Sequence, residues 1–263
     1  MAAPKNVFKA RLRDRDLQVG LWVSLADASV AELCAGAGFD WLVIDSEHGP
    51  NGLRDVLSQL RSIGGRSHPV VRTRDDNRAE IKQMLDIGAQ TLLVPMIESA
   101  AQAREVVRSV LYPPKGVRGV GAALARASEY NGIPDYLQTA NEEICLLLQV
   151  ESRAGMDALD EILAVDGVDG VFIGPADLAA DMGFLGQPGA EEVQAVVNDA
   201  LGRIRAAGRA AGILTSDHAL AAGYASAGVE FLAVGSDVGT LSAGLRALRK
   251  QFQPGNYSQT TEY

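Results

Sequence analysis

Polar and ionisable side chains stand at the carboxyl ends of five apolar runs in this sequence. A strand that is buried on both faces carries no charge unless that charge is paired, so each of these residues requires a chemical explanation. They are Asp45, Glu47 and His48 in IDSEHG, Arg72 and Arg74 in VRTR, Gln149 and Glu151 in LQVES, Asp177 in IGPADL, and Asp217 and His218 in TSDH.

Glu151 and Asp177 are candidates for binding a hard cation. Gln149 and Glu151 share one side of an otherwise apolar run, and Asp177 comes directly after the next run. Mg²⁺ typically takes one or two carboxylates and leaves its other positions to water and substrate oxygens. The alternative for Glu151 is a helix cap or an ion pair with a buried arginine. The histidines (48, 68 and 218) and cysteines (34 and 145) lack the spacing of a thiolate and imidazole site.

His48 lies three residues after Asp45, and this spacing is suited to acid–base chemistry. A carboxylate can fix the imidazole tautomer and raise its basicity, which would make His48 a general base near neutral pH. Arg72 would supply a permanent positive charge where an oxyanion forms. Two alternatives stay open at this point, namely that His48 is an exposed loop residue and that Arg72 is a counter-ion for Asp45 or Glu47.

The segment from Gly174 to Leu178 places small residues at the start of a short helical turn. Backbone N–H groups at such a start would bind a substrate carboxylate without a further basic side chain. This pattern is weak alone but becomes specific in combination with Glu151.

The elements that position these residues are eight apolar runs that alternate with segments of helical periodicity. The runs lie at 20–25, 41–45, 69–73, 91–97, 144–151, 170–174, 211–215 and 231–235, and the helices at 28–37, 52–63, 77–87, 100–110, 153–164, 191–207, 218–227 and 238–251. Strands buried on both faces indicate a parallel sheet covered by helices. No GxGxxG follows the first run, and nothing marks a domain boundary.

The pattern therefore predicts an α/β protein: one (β/α)8 TIM barrel over residues 1–263, with a short N-terminal helix and a flexible tail after about 252. Two long segments, 112–141 and 174–189, are expected to carry function, because long loops are where barrels place it.

Composition bounds the function further. The 263 residues contain 24 Lys+Arg against 33 Asp+Glu, a net charge of −9, which disfavours nucleic acid and anionic membrane surfaces as partners. The N-terminus has no apolar signal region, and no stretch approaches the ~20 apolar residues of a membrane span. Cys34 and Cys145 lie in apolar segments and are expected to be reduced core thiols. We expect a cytoplasmic protein.

With these residues in view, the chain resembles the HpcH/HpaI aldolase family of divalent-metal-dependent (class II) pyruvate aldolases over residues 6–252. The motifs that carry the resemblance are GLWVSL, FDWLVIDSEHGP, VVRTR, GAQTLLVPMIESA, YPPKGVRGVG, LLLQVES and VFIGPADLAADMG. The resemblance implies reversible cleavage of 4-hydroxy-2-oxoacids to pyruvate, or a related 2-oxoacid such as hydroxypyruvate, and an aldehyde. It also implies a homohexamer in which the last barrel helix is exchanged between neighbours, although residues 238–251 would pack equally well on their own barrel.

The resemblance also implies roles for individual residues. Glu151 and Asp177 would ligate Mg²⁺, Mn²⁺ or Co²⁺, and Arg72 would contact the keto oxygen. His48, oriented by Asp45, would remove the C4 hydroxyl proton together with a water on the metal. The remaining roles are Gln149 beside the metal ligands, the N–H groups of Ala176 and Asp177 on the pyruvate carboxylate, Trp22 as a wall, and Asp86 in the hydrogen-bond network.

Three competing interpretations can be weighed from the sequence. A Schiff-base aldolase needs a lysine in an apolar strand, but the lysines (5, 9, 82, 115 and 250) all lie outside the runs. A CoA-thioester lyase of the citrate-lyase-β type needs a basic groove, which a short acidic chain does not favour. A non-catalytic oxoacid-binding barrel would have no need of a base at His48. Arg118 and Arg126 are left as either contacts to a distal substrate carboxylate or loop anchors.

Overall fold

The eight predicted strands form a closed parallel barrel in sequence order, each hydrogen-bonded to the next and β8 to β1. This computed structural model describes residues 1–252, and the tail expected after about 252 lies outside the described residues. The strands are β1 Gln18–Val23, β2 Trp41–Asp45, β3 His68–Arg72, β4 Thr91–Val94, β5 Cys145–Val150, β6 Gly170–Ile173, β7 Ala210–Leu214 and β8 Phe231–Ser236. The predicted (β/α)8 barrel is confirmed.

The helices surround the barrel and connect successive strands. They are α1 Val7–Arg13, α2 Ala28–Gly36, α3 Leu53–Ile63, α4 Arg78–Asp86, α5 Ala100–Val110, α6 Tyr136–Glu143, α7 Arg153–Asp157, α8 Leu159–Leu163, α9 Pro175–Asp181, α10 Glu191–Ala206, α11 His218–Ser226 and α12 Asp237–Gln251. The single helix predicted over 153–164 is divided, because Ala158 has ψ near 0°, outside the α-helical range. No helix within residues 1–252 is long and apolar enough to cross a membrane.

Alternate strand residues fill two separate cores, which explains why the runs are apolar throughout. One set lies between the sheet and the helices, and includes Leu42, Ile44 and Val71. The other set fills the barrel interior, where the aromatic rings of Trp41 and Phe231 pack together. Helix α1 closes the N-terminal end of the barrel with side chains from this second core, Phe8 and Leu12.

The strands need small residues where these rings cross the barrel. A Cβ on Gly20 would overlap the Trp41 ring, and a Cβ on Gly212 would overlap the Phe231 ring. Glycine at these two positions therefore makes space for the interior aromatic side chains.

The long segment between α5 and β5 lies at the N-terminal end of its own barrel, and the expectation that residues 112–141 carry function stays a prediction. The segment follows a helix and precedes a strand, and such connections lie opposite the carboxyl ends of the strands. It contains two 3₁₀ turns, Ala122–Leu124 and Arg126–Ser128, and the helix α6. It packs against the start of the chain, where the N–H of Ala3 donates to Thr139 Oγ1 at 2.8 Å.

Helix α12 leaves the barrel with an uncovered apolar face. Val238, Leu241, Leu245 and Leu248 are 43–57% exposed, and Asp237 is the buried residue of this helix. The apolar face of residues 238–251 therefore does not pack on its own barrel.

Candidate active site

A cavity of about 650 Å³ opens at the carboxyl ends of the strands. It brings together most of the predicted site residues, which are Trp22, His48, Arg72, Gln149, Glu151, Ala176 and Asp177. A larger cavity of about 850 Å³ lies at the opposite end, beside α1, and none of the predicted site residues lines it. Since parallel barrels perform their chemistry at the carboxyl ends of the strands, the smaller cavity is the candidate active site.

Glu151 is a buried carboxylate held by two donors. The amide of Gln149 donates to its Oε2 at 2.5 Å, and the backbone N–H of Met96 donates to its Oε1 at 3.0 Å. Burial raises the pKa of Glu151 to about 7; these two hydrogen bonds oppose the rise, and the charges of Glu47 and Asp177 add to it. The site thus brings carboxylates close together although their negative charges repel each other.

The chain around Glu151 is shaped to accept its side chain. Gly174, after β6, lies against the carboxylate, and a Cβ at this position would overlap Oε2 of Glu151. Met96, after β4, has a left-handed backbone (φ 56°), which is uncommon for a residue with a side chain. This conformation presents the Met96 N–H to Oε1 of Glu151.

Asp177 enters the cavity from the first turn of α9, which begins directly after Gly174. The first intrahelical donor of α9 is the N–H of Leu178, which donates to the Gly174 carbonyl at 3.1 Å. The N–H groups of Ala176 and Asp177 precede that donor, and both residues line the cavity. The short helix predicted after Gly174 is therefore present, with its first residues at the candidate site.

The donor set fits a hard divalent cation. Glu151 and Asp177 supply carboxylate oxygens, and the buried Oε1 of Gln149 has no hydrogen-bond partner among the described residues. Within residues 1–252 no group of three His, Cys, Asp or Glu side chains is arranged to hold a metal ion. Two carboxylates with the remaining positions left to water and substrate are nevertheless a usual arrangement for Mg²⁺, so the residues present are compatible with such an ion.

Arg72 is fixed by two acidic residues from the segment that ends β2. Its Nε and Nη2 donate to the two carboxylate oxygens of Asp45 at 2.9 and 2.8 Å, and its Nη1 lies 2.6 Å from Oε2 of Glu47. The guanidinium also lies over the ring of Trp22, 5.3 Å from its centroid. Arg72 is therefore a counter-ion for both Asp45 and Glu47, which was the alternative left open from the sequence. It also lines the cavity.

The carboxyl groups of this network have shifted pKa values. Burial by itself would raise the pKa of Asp45, but the hydrogen bonds and charge of Arg72 outweigh it, so the pKa lies below its usual value. For Glu47 burial is the larger effect, and its pKa is raised despite the charge of Arg72. Asp45 is thus an anion that anchors Arg72.

The position of His48 differs from the expected pair with Asp45. The backbone N–H of His48, not its ring, donates to Asp45 Oδ1 at 3.3 Å, and the N–H of Glu47 donates to the same oxygen at 3.1 Å. The ring is 68% exposed, and its Nε2 lies 3.9 Å from Oε1 of Glu47. Because Arg72 occupies both oxygens of Asp45, that carboxylate orients the backbone of the loop and does not hold the imidazole.

Asp86 does not line this cavity, and its place in the hydrogen-bond network of the site, which the resemblance implied, stays a prediction. It ends α4, and its Oδ1 accepts a hydrogen bond from Nη2 of Arg118 at 2.8 Å. Arg118 is fully buried and lies over the Tyr112 ring, and Nη1 of Arg126 donates to the carbonyl of Ile87 at 2.9 Å. In this protomer both arginines therefore act as loop anchors, which was one of the two alternatives left open from the sequence.

Sequence reasoning missed several polar residues of the cavity. Ser24, Thr215, Ser216 and Ser236 line it, together with Tyr224, whose hydroxyl donates to Gln194 Oε1 at 2.7 Å. Their signal was present, since the serines and Thr215 follow or end strands as the charged residues do. The sequence alone does not single them out, because a serine or threonine at a strand end is also an ordinary helix cap.

Comparisons with known proteins identify the family of the chain. Residues 18–243 match the family model of HpcH/HpaI aldolase/citrate lyase. The chain is 56% identical over 256 residues to a hydroxypyruvate/pyruvate aldolase of Pseudomonas aeruginosa, covering 97% of this chain and 96% of that protein. It is 54% identical over 249 residues to a 4-hydroxy-2-oxo-heptane-1,7-dioate aldolase of Salmonella dublin, covering 94% and 95%.

A solved structure extends the likeness to three dimensions. The crystal structure of an HpcH/HpaI aldolase/citrate lyase family protein from Burkholderia cenocepacia superposes with a TM-score of 0.90 at 43% identity, covering 95% of this chain and all of that one. The matched length, the identities and the shared barrel leave one conclusion. The chain belongs to the HpcH/HpaI aldolase/citrate lyase family.

Proposed function

We propose that the protein catalyses the reversible aldol cleavage of 4-hydroxy-2-oxoacids to pyruvate, or a related 2-oxoacid such as hydroxypyruvate, and an aldehyde, with a divalent metal ion (Mg²⁺, Mn²⁺ or Co²⁺). The observation that carries the proposal is the buried Glu151 in one cavity with Asp177 and the anchored Arg72. The names of the relatives, a hydroxypyruvate/pyruvate aldolase and a 4-hydroxy-2-oxo-heptane-1,7-dioate aldolase, support it.

Glu151 and Asp177 would hold the metal ion, with Gln149 beside them. When bound, such an ion supplies Lewis-acid stabilisation of negative charge on the oxygens of the 2-oxoacid. The proposal thus gives the crowded carboxylates a function, because a doubly charged cation would offset their mutual repulsion.

The protein's own groups would bind and polarise the 2-oxoacid. The N–H groups of Ala176 and Asp177 would donate to its carboxylate, and Trp22 would form the wall of the cavity beside it. Arg72 would donate to the keto oxygen. As the C3–C4 bond breaks, its electron pair moves into the adjacent carbonyl as an enolate, and Arg72 stabilises the charge that develops on that oxygen. Asp45 and Glu47 hold Arg72 in place for this role.

His48 would accept the proton of the C4 hydroxyl. Its ring is exposed at the mouth of the cavity, so the imidazole can reach a bound substrate and return the proton to solvent. Schiff-base chemistry has no support, because no lysine is among the described residues that line the cavity.

Assembly and location form part of the proposal. A homohexamer with exchanged C-terminal helices would cover the apolar face of α12, which the protomer leaves exposed. Cys34 and Cys145 are free and buried, as expected, and are in keeping with a reducing cytoplasm. The partners are small 2-oxoacid and aldehyde molecules, and neither nucleic acid nor membrane is among them.

Direct measurement of Mn²⁺ binding tests the metal site without reference to activity. Binding is measured by electron paramagnetic resonance of the free Mn²⁺ ion. We expect Glu151→Gln to weaken Mn²⁺ binding by about 10-fold to 100-fold or more, because an anionic ligand is lost. Asp181→Asn is the matched control, since Asp181 is a carboxylate of α9 that pairs with Arg153 outside the cavity. It should bind Mn²⁺ like the unmodified protein.

The reaction itself is tested on metal-stripped protein that is resupplied with each divalent ion. Pyruvate release from a panel of 4-hydroxy-2-oxoacids should depend on the added ion and disappear with EDTA. Undiminished turnover in excess EDTA, or equal Mn²⁺ affinity of Glu151→Gln and the unmodified protein, would refute the proposal.

A further inference from the structure

We propose that Trp41 is a positioning residue for the candidate active site, because its ring, packed against Phe8 of α1, supports the ring of Trp22 at the cavity wall. The inference rests on the proposed function, in which the 2-oxoacid binds beside Trp22. Trp41 does not line the cavity, so it would act through Trp22 and not on the substrate.

The register of the first two strands places the Trp41 ring beside Trp22 inside the barrel. Trp41 is the first residue of β2 and aligns with Gly20 of β1. Gly20 lies two residues before Trp22 and therefore on the same face of β1. Because Gly20 has no Cβ, the Trp41 ring occupies the space that a side chain there would take. The Trp41 ring thus lies between Trp22 and the N-terminal end of the barrel.

The Trp41 ring is fixed on several sides. Its Nε1 donates to the carbonyl of Gln18 at 2.9 Å, and the residue is 1% exposed. Two phenylalanine rings also contact it, that of Phe8 with centroids 5.9 Å apart and that of Phe231 with centroids 6.0 Å apart. Aromatic rings pack favourably at these separations. Helix α1 therefore helps to fix a ring that packs directly against the candidate site.

The Trp22 ring, in contrast, is held by packing. It meets the Trp41 ring edge to face, with centroids 6.3 Å apart and planes at 73°, and the Phe172 ring at 5.3 Å. The guanidinium of Arg72 also lies 5.3 Å from its centroid. Among residues 1–252 the Trp22 side chain has no hydrogen-bond partner. Its orientation therefore depends on the rings beneath it and on Arg72.

Loss of the Trp41 ring would reach the site through Trp22. A smaller side chain at position 41 would leave a cavity into which the Trp22 ring can rotate. Arg72 would keep its place, because Asp45 and Glu47 hold it independently of Trp22. The wall beside the 2-oxoacid would thus be displaced while the group that stabilises the enolate is not. We therefore expect weaker binding of the 2-oxoacid, seen in KM, with little change in kcat.

The kinetic test follows exchange of the C3 protons of pyruvate with deuterated water by NMR, on Mn²⁺-loaded protein. This exchange reports enolate formation without any aldehyde. We expect Trp41→Leu to raise KM for pyruvate by about tenfold or more and to keep kcat within about threefold. Trp41→Phe, which retains a ring, should restore most of the difference.

Leu42→Ala is the matched control for loss of stability. Leu42 is the next residue of β2 and is fully buried, but it packs in the layer between the sheet and the helices. Its truncation leaves a cavity away from Trp22. A merely destabilised protein has a smaller active fraction, which lowers the apparent kcat and leaves KM unchanged. Leu42→Ala should therefore keep KM within about twofold.

Tryptophan spectroscopy tests the same contact without activity. The chain has two tryptophans, so Trp22 is the single tryptophan of either Trp41 variant. We expect Trp41→Phe to keep a near-UV circular dichroism band from a fixed Trp22 ring and to shield its emission from acrylamide. Trp41→Leu should lose the band and show stronger quenching, while its far-UV spectrum shows that secondary structure is retained.

Phe8→Leu tests the support from α1. None of the rings that contact Phe8, namely Trp41, His68 and Phe231, lines the cavity. This variant should raise KM for pyruvate in the same direction as Trp41→Leu but by a smaller factor, about threefold. If Trp41→Leu does not fold, Phe8→Leu decides in its place.

The possible outcomes separate this inference from the proposed function. An unchanged KM in Trp41→Leu, an equal rise of KM in Leu42→Ala, or a Trp22 spectrum that is the same in both Trp41 variants would overturn the inference. If the unmodified protein catalyses no exchange, the proposed function fails instead. The Trp22 spectra would then still decide whether Trp41 supports the Trp22 ring.

Discussion

At the scale of single residues, Asp45 and His48 have separate roles in the site. The carboxylate of Asp45 accepts hydrogen bonds from Arg72 and from the backbone of the loop, so the imidazole of His48 remains at the mouth of the cavity. Chemistry at His48 would therefore depend on its access to solvent and substrate more than on a buried partner. Glu47, 3.9 Å from its Nε2, is the acidic side chain that contacts this ring.

Replacement of His48 tests its role as base. We expect His48→Ala to lower kcat for 4-hydroxy-2-oxoacid cleavage by about 10²-fold or more, as for loss of a general base. His218→Ala is the control, because His218 is an exposed histidine on α11 that does not line the cavity, and it should retain kcat within about twofold. Unchanged turnover in His48→Ala would leave His48 without a role in proton transfer.

The sequence was sufficient to identify Glu151, Asp177, Arg72 and Gln149 as neighbours, because parallel strands bring their carboxyl ends to one edge of the barrel. It was not sufficient to pair Asp45 with Arg72 instead of with His48. Residues three apart in a loop suggest a local pair, whereas the contact that forms joins two strands whose register aligns Asp45 with Arg72. A single sequence does not reveal which of these two contacts prevails.

At the scale of elements, the order and type of strands and helices were predictable from periodicity, and the exceptions have physical causes. The run predicted over 91–97 ends as a strand at Val94, since the backbone of Met96 turns left-handed to reach Glu151. The helix predicted over 153–164 is divided at Ala158. In both cases the backbone conformation of one residue limits an element that hydrophobic pattern alone would extend.

The start of β3 gives a prediction for stability. His68 lies between the ring of Phe8, with centroids 5.1 Å apart, and Thr91, whose Oγ1 is 2.7 Å from Nε2 of His68. Burial lowers the pKa of His68 to about 4, so the ring is neutral in the folded protein at pH values where it is charged in the unfolded chain. Since the unfolded state then binds more protons, stability from this group is complete above about pH 6.5 and falls as the pH drops toward 4.

We expect His68 to contribute a loss of about 2 kcal/mol in the free energy of unfolding between pH 7.5 and pH 5. Urea unfolding at fixed protein concentration should show that His68→Gln reduces the pH dependence by about this amount. The exposed His218→Gln serves as the control and should keep the full dependence. If His68→Gln and the unmodified protein lose the same free energy over this range, the ring is not the source.

Two glycines, one inside helix α11 and one just after it, give a second prediction at this scale. Gly223 lies inside α11 with no atom within 4 Å of an added Cβ, so Gly223→Ala should stabilise the protein by about 0.5–1 kcal/mol. Gly228, just after α11, has φ 85°, and a Cβ there would lie 2.6 Å from the guanidinium of Arg205. Gly228→Ala should therefore destabilise. Thermal unfolding of both variants checks the two signs, and a shift in the same direction for both would contradict this account.

At the scale of the whole molecule, the exposed side of α12 distinguishes the protomer from a self-contained barrel. The other helices of the (β/α) units contribute buried side chains to the layer around the sheet, whereas α12 exposes Val238, Leu241, Leu245 and Leu248 within the described residues. Four adjacent apolar side chains on one helix face are costly to leave in water. The expected exchange of this helix between neighbours would cover them.

Disruption of this face tests the assembly. We expect the unmodified protein to sediment as a hexamer and Leu245→Asp to shift it to smaller species, because a carboxylate would be buried in an apolar contact. Leu33→Asp is the matched control, since Leu33 is an exposed leucine on α2 and should leave the assembly intact. A monomeric unmodified protein, or a hexamer in Leu245→Asp, would exclude the exchanged helix as the basis of assembly.

The close fit of Gly174 against Glu151 bears on how such a protein could change over evolution. Gly174, which makes room for Glu151, is also the residue that directly precedes α9, and α9 carries Asp177. A shift in one of these features would disturb the other, so mutation has little freedom to adjust them separately.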